Sequence, residues 1–146
     1  MCFPQGCRHV PYHGQWKVHH TGRDGTQIDW FSAQDIGRFA AEAFTQPEKF
    51  NHKELSLVGE KHTMSEVAEA LSTVTGKHFD AISQTEEEAA ASGLFKWGFE
   101  AYIWQNVEGY KIDPQEASGY GIHPESLDEF LEGHKSFLQE RYSGLE

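Results

Sequence analysis

Ile28-Asp29-Trp30-Phe31-Ser32-Ala33-Gln34-Asp35-Ile36-Gly37-Arg38-Phe39-Ala40-Ala41-Glu42-Ala43-Phe44 is the stretch whose reading decides the fold. Ile28, Trp30 and Phe31 are β-branched or aromatic and read as a short strand ending at Phe31. Ser32 follows as a helix N-cap, with Asp35 at the three-residue spacing of a capping box. Ile36, Phe39, Ala40, Ala43 and Phe44 then recur at helical spacing on one face. A strand that runs straight into a helix is half of a β/α layered unit and needs a sheet to lie on.

Working outward, Pro47 disfavours helix at Gln46 and closes this first helix in a polar connection. Glu54–Gly59 reads as a second strand, with Leu55 and Leu57 alternating. Thr63-Met64-Ser65-Glu66 is a second capping box, opening a helix whose stripe is Met64, Val67, Ala68, Leu71 and Val74 and which Gly76 ends. His78–Ser83 is a third strand. Thr85-Glu86-Glu87-Glu88 starts a further helix with its acids at the favourable end of the dipole. Leu94–Tyr110 is an aromatic helix, the segment from Tyr110 to Gly121 is irregular, and Ser126-Leu127-Asp128-Glu129 caps a last helix. The stripe of that helix is Leu127, Phe130, Leu131, His134, Phe137 and Leu138. The expected core is Ile36, Phe39, Phe44, Leu57, Val67, Leu71, Phe99, Ile103, Phe130, Leu131 and Phe137.

Upstream, residues 1–27 contain two Pro, four Gly and four His without sustained periodicity, and they read as an irregular N-terminal extension. Cys2, Cys7, His9 and His13 cluster there, but their spacing matches no common zinc pattern, and no metal site is expected. The boundary near residue 27 is also one of charge, because Arg8, Lys17 and Arg23 face only Asp24 before it. The formal net charge of the 146 residues is −11, which argues against direct binding to nucleic acid or an anionic membrane. No run of 18 apolar residues and no signal-peptide core occurs, so the expected setting is the cytoplasm or the nucleus. Aromatic residues make up 13% of a chain that is only 38% hydrophobic, so its apolar area sits in large rings that need covering.

From about Trp16 onward the chain resembles the C-terminal half of the NmrA-like family, atypical members of the extended short-chain dehydrogenase/reductase group. The resemblance lies in Asp35–Ala41, Leu55–Glu60, Thr63–Ser72, Gly76-Lys77 and Gly109-Tyr110. The closing stretch Ser126–Lys135 is similar to fungal members. It implies a helix-dominated α/β fold: the partial C-terminal portion of a Rossmann-like fold, with about three short strands in an incomplete sheet over residues 28–146. Family members resembling this chain carry an N-terminal Rossmann half that binds NADP(H) at a glycine-rich turn. No Gly-x-Gly-x-x-Gly and no Tyr-x-x-x-Lys occurs in these residues. The expectation is therefore a truncated member that is non-catalytic, binding or regulatory, with weak or no dinucleotide binding of its own. The alternative is an NAD(P)H-dependent oxidoreductase or isomerase acting on a small organic substrate.

No residue inherits a catalytic assignment, and Asp35, Ile36 and Gly37 match only the start of a packing helix. Trp97, Phe99, Tyr102 and Trp104 are the substrate-pocket candidates, since such rings line apolar pockets or stack on ligand rings. Ordinary packing of one amphipathic helix is the favoured reading of the same four. His62, His78, His123 and His134 are scattered among acids without forming a catalytic set, and His134 is expected to be half-buried. Apolar surface left uncovered would be met by a protein partner or a homodimer.

Overall fold

The computed structural model describes residues 16–93 and 96–143. Cys2, Cys7, His9, His13, Leu94 and Phe95 lie outside them. The described chain runs β1 (Trp16–His20), β2 (Ile28–Trp30), α1 (Ala33–Thr45), α2 (Pro47–Phe50), β3 (Glu60–His62) and α3 (Met64–Thr75). It continues through β4 (Phe79–Ser83), α4 (Glu86–Ala91), α5 (Lys96–Val107), α6 (Gln115–Ser118), α7 (Leu127–Gly133) and α8 (Lys135–Ser143). Four strands make two separate pairs. β1 and β4 are parallel, with Trp16 opposite Phe79 and His20 opposite Ser83, while β2 and β3 are antiparallel, with Ile28 opposite His62.

Helix α3 is the centre of the main core. Thr63 and Glu66 cap it reciprocally, and Gly76 ends it at φ 71°, a backbone conformation that a Cβ disfavours. Val67, Ala68, Leu71 and Val74 are buried on the face that meets β1, β4, α7 and α8. Leu71 alone withdraws enough apolar surface to stabilise the fold by roughly 1.5–3 kcal/mol. Beside it, Trp16 and Phe79 stack with centroids 6.0 Å apart, and Tyr142 meets both edge-on at 4.7 and 5.1 Å. A smaller core joins Phe39 to Ala117 and Ile122, with Phe31, Leu55, Leu57 and Tyr120 against it.

Several expectations are corrected. Residues 16–20, assigned to an irregular extension, form the buried strand β1. The second strand lies at Glu60–His62, not Glu54–Gly59. Gly59 N–H donates to the Trp30 carbonyl at 2.9 Å, so pairing with β2 begins only where the chain reaches it. Two short helices, α2 and α6, occupy segments read as loop, because Phe50 and Ala117 are buried there.

The α1 stripe is rotated from the expected one. Asp35 and Phe39 face inward, while Ile36 is exposed and Phe44 is 86% exposed. Ser32 caps α1, but Asp35 does not close a capping box. Its shorter side chain accepts from the Ser32 hydroxyl, from Arg38 and from the backbone of Glu125 instead.

The last helix is two helices, broken at His134 (φ −108°). The break turns Leu138 and Tyr142 inward and leaves Phe137 64% exposed. His134 is exposed rather than half-buried and stacks on Phe130 at 4.3 Å. Helix α5 buries none of its residues, so Ile103 is surface rather than core, and Phe99 is only half-buried. Among the described residues no helix is long and apolar enough to cross a membrane.

A polar cleft beyond the ends of the parallel strands

Strand β1 alternates, with Trp16, Val18 and His20 buried, which places an imidazole at its carboxyl end. That end is stitched to β4, since Gln84 N–H donates to the His20 carbonyl at 2.7 Å and Ser83 Oγ to the Gly22 carbonyl at 2.8 Å. In α/β sheets, ligands gather beyond the carboxyl ends of parallel strands, where the chain leaves the sheet in loops. Here the chain turns through Arg23–Thr26, closed by a Thr26 N–H to Arg23 carbonyl bond of 3.0 Å. Gly25 takes φ 82° in that turn, the conformation that calls for glycine.

Helix α5 holds this turn through one side chain. Asn106 Oδ1 accepts from Arg23 N–H at 2.9 Å and from Thr26 Oγ1 at 2.8 Å. Because both partners donate, the carboxamide orientation is fixed with its oxygen toward the turn. The Asn106 Nδ2 donor is then buried without a hydrogen-bond partner, as are His20 Nδ1 and Thr21 Oγ1. His20 and Asn106 converge. A Cβ placed on Gly22 would lie 3.4 Å from His20 Nδ1 and 3.6 Å from Asn106 Oδ1. Burial holds the His20 imidazole below its usual pKa, with the Asp24 carboxylate working the other way, so the ring is neutral at pH 7.

Next to this cluster opens a cleft of about 480 Å³ between the turn, Lys61 and the C-terminal end of α5, with Asn106 and Tyr110 in its wall. Lys61 is committed to an ion pair with Asp29 and also donates to the Tyr110 carbonyl at 3.3 Å. Tyr110 is exposed and braced edge-on by Trp104 with centroids 4.9 Å apart.

Of the four aromatic candidates, none lines this cleft. Trp97 is 72% exposed, Trp104 is also exposed, and Phe99 and Tyr102 are half-buried. The site residues that sequence reasoning missed are Arg23, Thr26 and Asn106 in the wall of the cleft, with His20 and Thr21 buried beside it. The polar turn Gly22-Arg23-Asp24-Gly25-Thr26 ahead of the Ile28 strand was their one signal.

The other histidines are not brought together. His78 pairs with Asp80 at 3.0 Å, and His123 lies exposed in a loop. His62 sits 2.8 Å from Glu60, whose carboxylate also accepts from Leu127 N–H at 2.7 Å. A second groove, about 610 Å³, lies between α3 and α7, walled by His62, Glu66, Glu69, Asp128 and Glu132. Among the described residues no three His, Cys, Asp or Glu side chains are placed to hold a metal ion.

Compared with known proteins, residues 2–117 match the model of the NmrA-like family. No curated protein matches the chain. Among solved structures, it is similar to a nucleoside-diphosphate-sugar epimerase from Staphylococcus aureus, with a TM-score of 0.66 at 20% identity. That likeness covers 80% of this chain and 43% of the epimerase, so the chain spans less than half the length of that structure. At such identity the likeness is one of fold: a helix-dominated α/β arrangement with a small parallel sheet.

Proposed function

From the premise that this chain belongs to the NmrA-like family, we propose that it is a non-catalytic, ligand-binding or regulatory member of that NAD(P)-binding group. The observation that carries this reading is the cleft at the carboxyl end of β1 and β4. Its wall carries the Asn106 carboxamide, the Thr26 hydroxyl and Tyr110, which are groups that bind and orient.

The cleft does not fit a dinucleotide. A pyrophosphate is held by glycine-rich backbone N–H groups at a helix N-terminus, and residues 1–146 contain no such sequence. Of the cations lining the cleft, Lys61 is already neutralised by Asp29, and Asp24 and Glu108 stand beside Arg23. An anionic cofactor there would meet more acid than base. This chain by itself therefore neither holds NADP(H) tightly nor transfers hydride, in keeping with a fungal-type regulatory member working in the cytoplasm or nucleus.

The experiment is a thermal melt of the whole chain followed by circular dichroism, with and without excess NADPH. A cooperative transition that NADPH leaves in place is the expected result. Saturation at a hundredfold excess over Kd would stabilise the native state by about 2.7 kcal/mol. A rise of the corresponding size in Tm would overturn the reading.

A further inference from the structure

A second open surface, the groove between α3 and α7, is separate from the cleft and independent of the binding reading placed there. Its depth is apolar, because Val74 and Leu127 are buried in it and Ala70 is half-buried. Its rims are acidic, with Glu66 and Glu69 exposed on α3 and Asp128 and Glu132 exposed on α7. No Lys or Arg stands among the described residues that line it. The α3 wall runs from Glu66 to Thr73, about 10 Å at the rise of an α-helix.

These acids serve the free chain unequally. Glu66 closes the α3 capping box, and Glu132 pairs with Lys135 at 2.8 Å. Glu69 and Asp128 make no ion pair among the described residues. Glu69 also lies past the first turn of α3, where the helix dipole no longer favours an acid. Glu66 and Glu69 are three residues apart on one helix, and Asp128 and Glu132 four apart on the other, so each wall holds like charges at repulsive spacing. A cation that also carries apolar surface relieves the repulsion and covers the floor. A metal ion does neither, and among the described residues no three acids or histidines are placed to hold one. An open trough about two helical turns long instead accepts a chain segment laid along it, as amphipathic segments lie in grooves between helices.

We propose that the α3–α7 groove docks a short basic amphipathic segment of a partner protein. Aliphatic side chains of the segment rest on Ala70, Val74 and Leu127, and its Lys or Arg side chains meet the rim carboxylates. Glu69 and Asp128, one from each wall, are the charges left open for it.

The probe is a short fluorescein-labelled peptide of lysine and leucine, with its leucines at helical spacing. A second peptide has every leucine replaced by serine and keeps the charge, and spermidine serves as a simple polycation. The chain is compared with Glu69→Gln/Asp128→Asn and with Glu86→Gln/Glu87→Gln. The second pair removes the same charge from the exposed start of α4 and leaves its capping residue Glu88 in place. Fluorescence anisotropy at physiological ionic strength gives the Kd, and backbone amide resonances of the isotope-labelled chain locate the contact.

The expected result is saturable binding of the leucine peptide, with shifts gathered over residues 66–74 and 127–132. All three chains keep a dispersed spectrum, since only exposed side chains change. The groove variant weakens the Kd about fivefold or more, as the loss of two partly exposed ion pairs. The α4 variant changes it less than about twofold, because charges outside the contact are screened. The serine peptide and spermidine bind more weakly than the leucine peptide. If the two variants weaken binding alike, the attraction is that of an acidic chain at large, and the proposal is overturned. If the serine peptide or spermidine binds as well as the leucine peptide, the floor plays no part and a simple cation replaces the protein segment. Absence of saturable binding, or shifts gathered elsewhere, overturns it too. None of these outcomes touches the cleft, whose reading answers to the NADPH melt.

Discussion

Asp35 is the residue on which the region around α1 depends most directly. Its side chain is fully buried and accepts three hydrogen bonds: from Ser32 Oγ at 2.8 Å, from Glu125 N–H at 2.9 Å and from Arg38 at 2.7 Å. The Glu125 bond ties the start of α1 to the segment leading into α7, 90 residues away in sequence. In Asp35→Ala the buried Ser32 hydroxyl and the partly buried Glu125 N–H both lose their acceptor. Each orphaned group costs about 1–3 kcal/mol, so the pair gives about 2–6 kcal/mol. Arg38 adds little, because its side chain is nearly half exposed and returns to water. Urea denaturation followed by circular dichroism reads the change as a lowered midpoint at constant slope. Ser32→Ala is the partner measurement. It removes the N-cap bond to Asp35 N–H and costs about 1 kcal/mol. The double variant should lose less than the sum, because the two residues share a bond. A loss under about 1 kcal/mol for Asp35→Ala would refute the reasoning, since one buried and one partly buried donor cannot be abandoned so cheaply.

Three further outcomes are expected. His20 has a folded pKa below its unfolded value, so the unfolded chain takes up protons first as the medium is acidified. Its contribution is therefore complete above about pH 7 and declines below about 6.5, and His20→Asn should flatten that part of a plot of Tm against pH. Leu71→Ala, at the most enclosed point of α3, should lower stability by about 2–5 kcal/mol in the same urea assay. Phe44→Ser, 86% exposed near the end of α1, should change it by no more than about 0.5 kcal/mol, and a larger loss would mean that the ring is covered in solution.

What was legible in the sequence was what depends on near neighbours. Ser32, Thr63 and Ser126 each cap the helix they were expected to cap, the helix expected from Thr85-Glu86-Glu87-Glu88 starts there, and Gly76 ends α3. The face of α3 was read correctly because all of its partners lie on one side. The faces of α1 and the last helix were not, for different reasons. In α1 a charged residue, Asp35, takes the inward position because three donors wait for it there, and no hydropathy pattern registers that. At the C-terminus the break at His134 shifts the phase of the stripe, so Tyr142 replaces Phe137 in the core.

The candidate site was harder still. Asn106 acquires its role only by meeting a turn some 80 residues earlier. Its polarity in an aromatic helix was outweighed in the reading by the four rings around it. The strand that positions His20 was passed over because its alternation, Trp16-Lys17-Val18-His19-His20, buries a histidine where a hydrophobic residue is usual.

The pairing of β1 with β4 has a kinetic consequence. Trp16 and Phe79 meet across about half of the described chain, and α3 lies between them in sequence while packing on both strands. Such a closure gives up loop entropy before it gains contacts, so it belongs late in folding, after α3 has formed and the β2–β3 pair has shortened the path. Until it closes, β4 presents a bare edge and Phe79 lacks its stacking partner. The slow step and the aggregation-prone interval of this chain are then one event, the arrival of Trp16–His20. The cleft takes its shape only as that strand docks, because the Arg23–Thr26 turn in its wall travels with it. A ligand bound there would retard the departure of β1 and thus act on the unfolding rate.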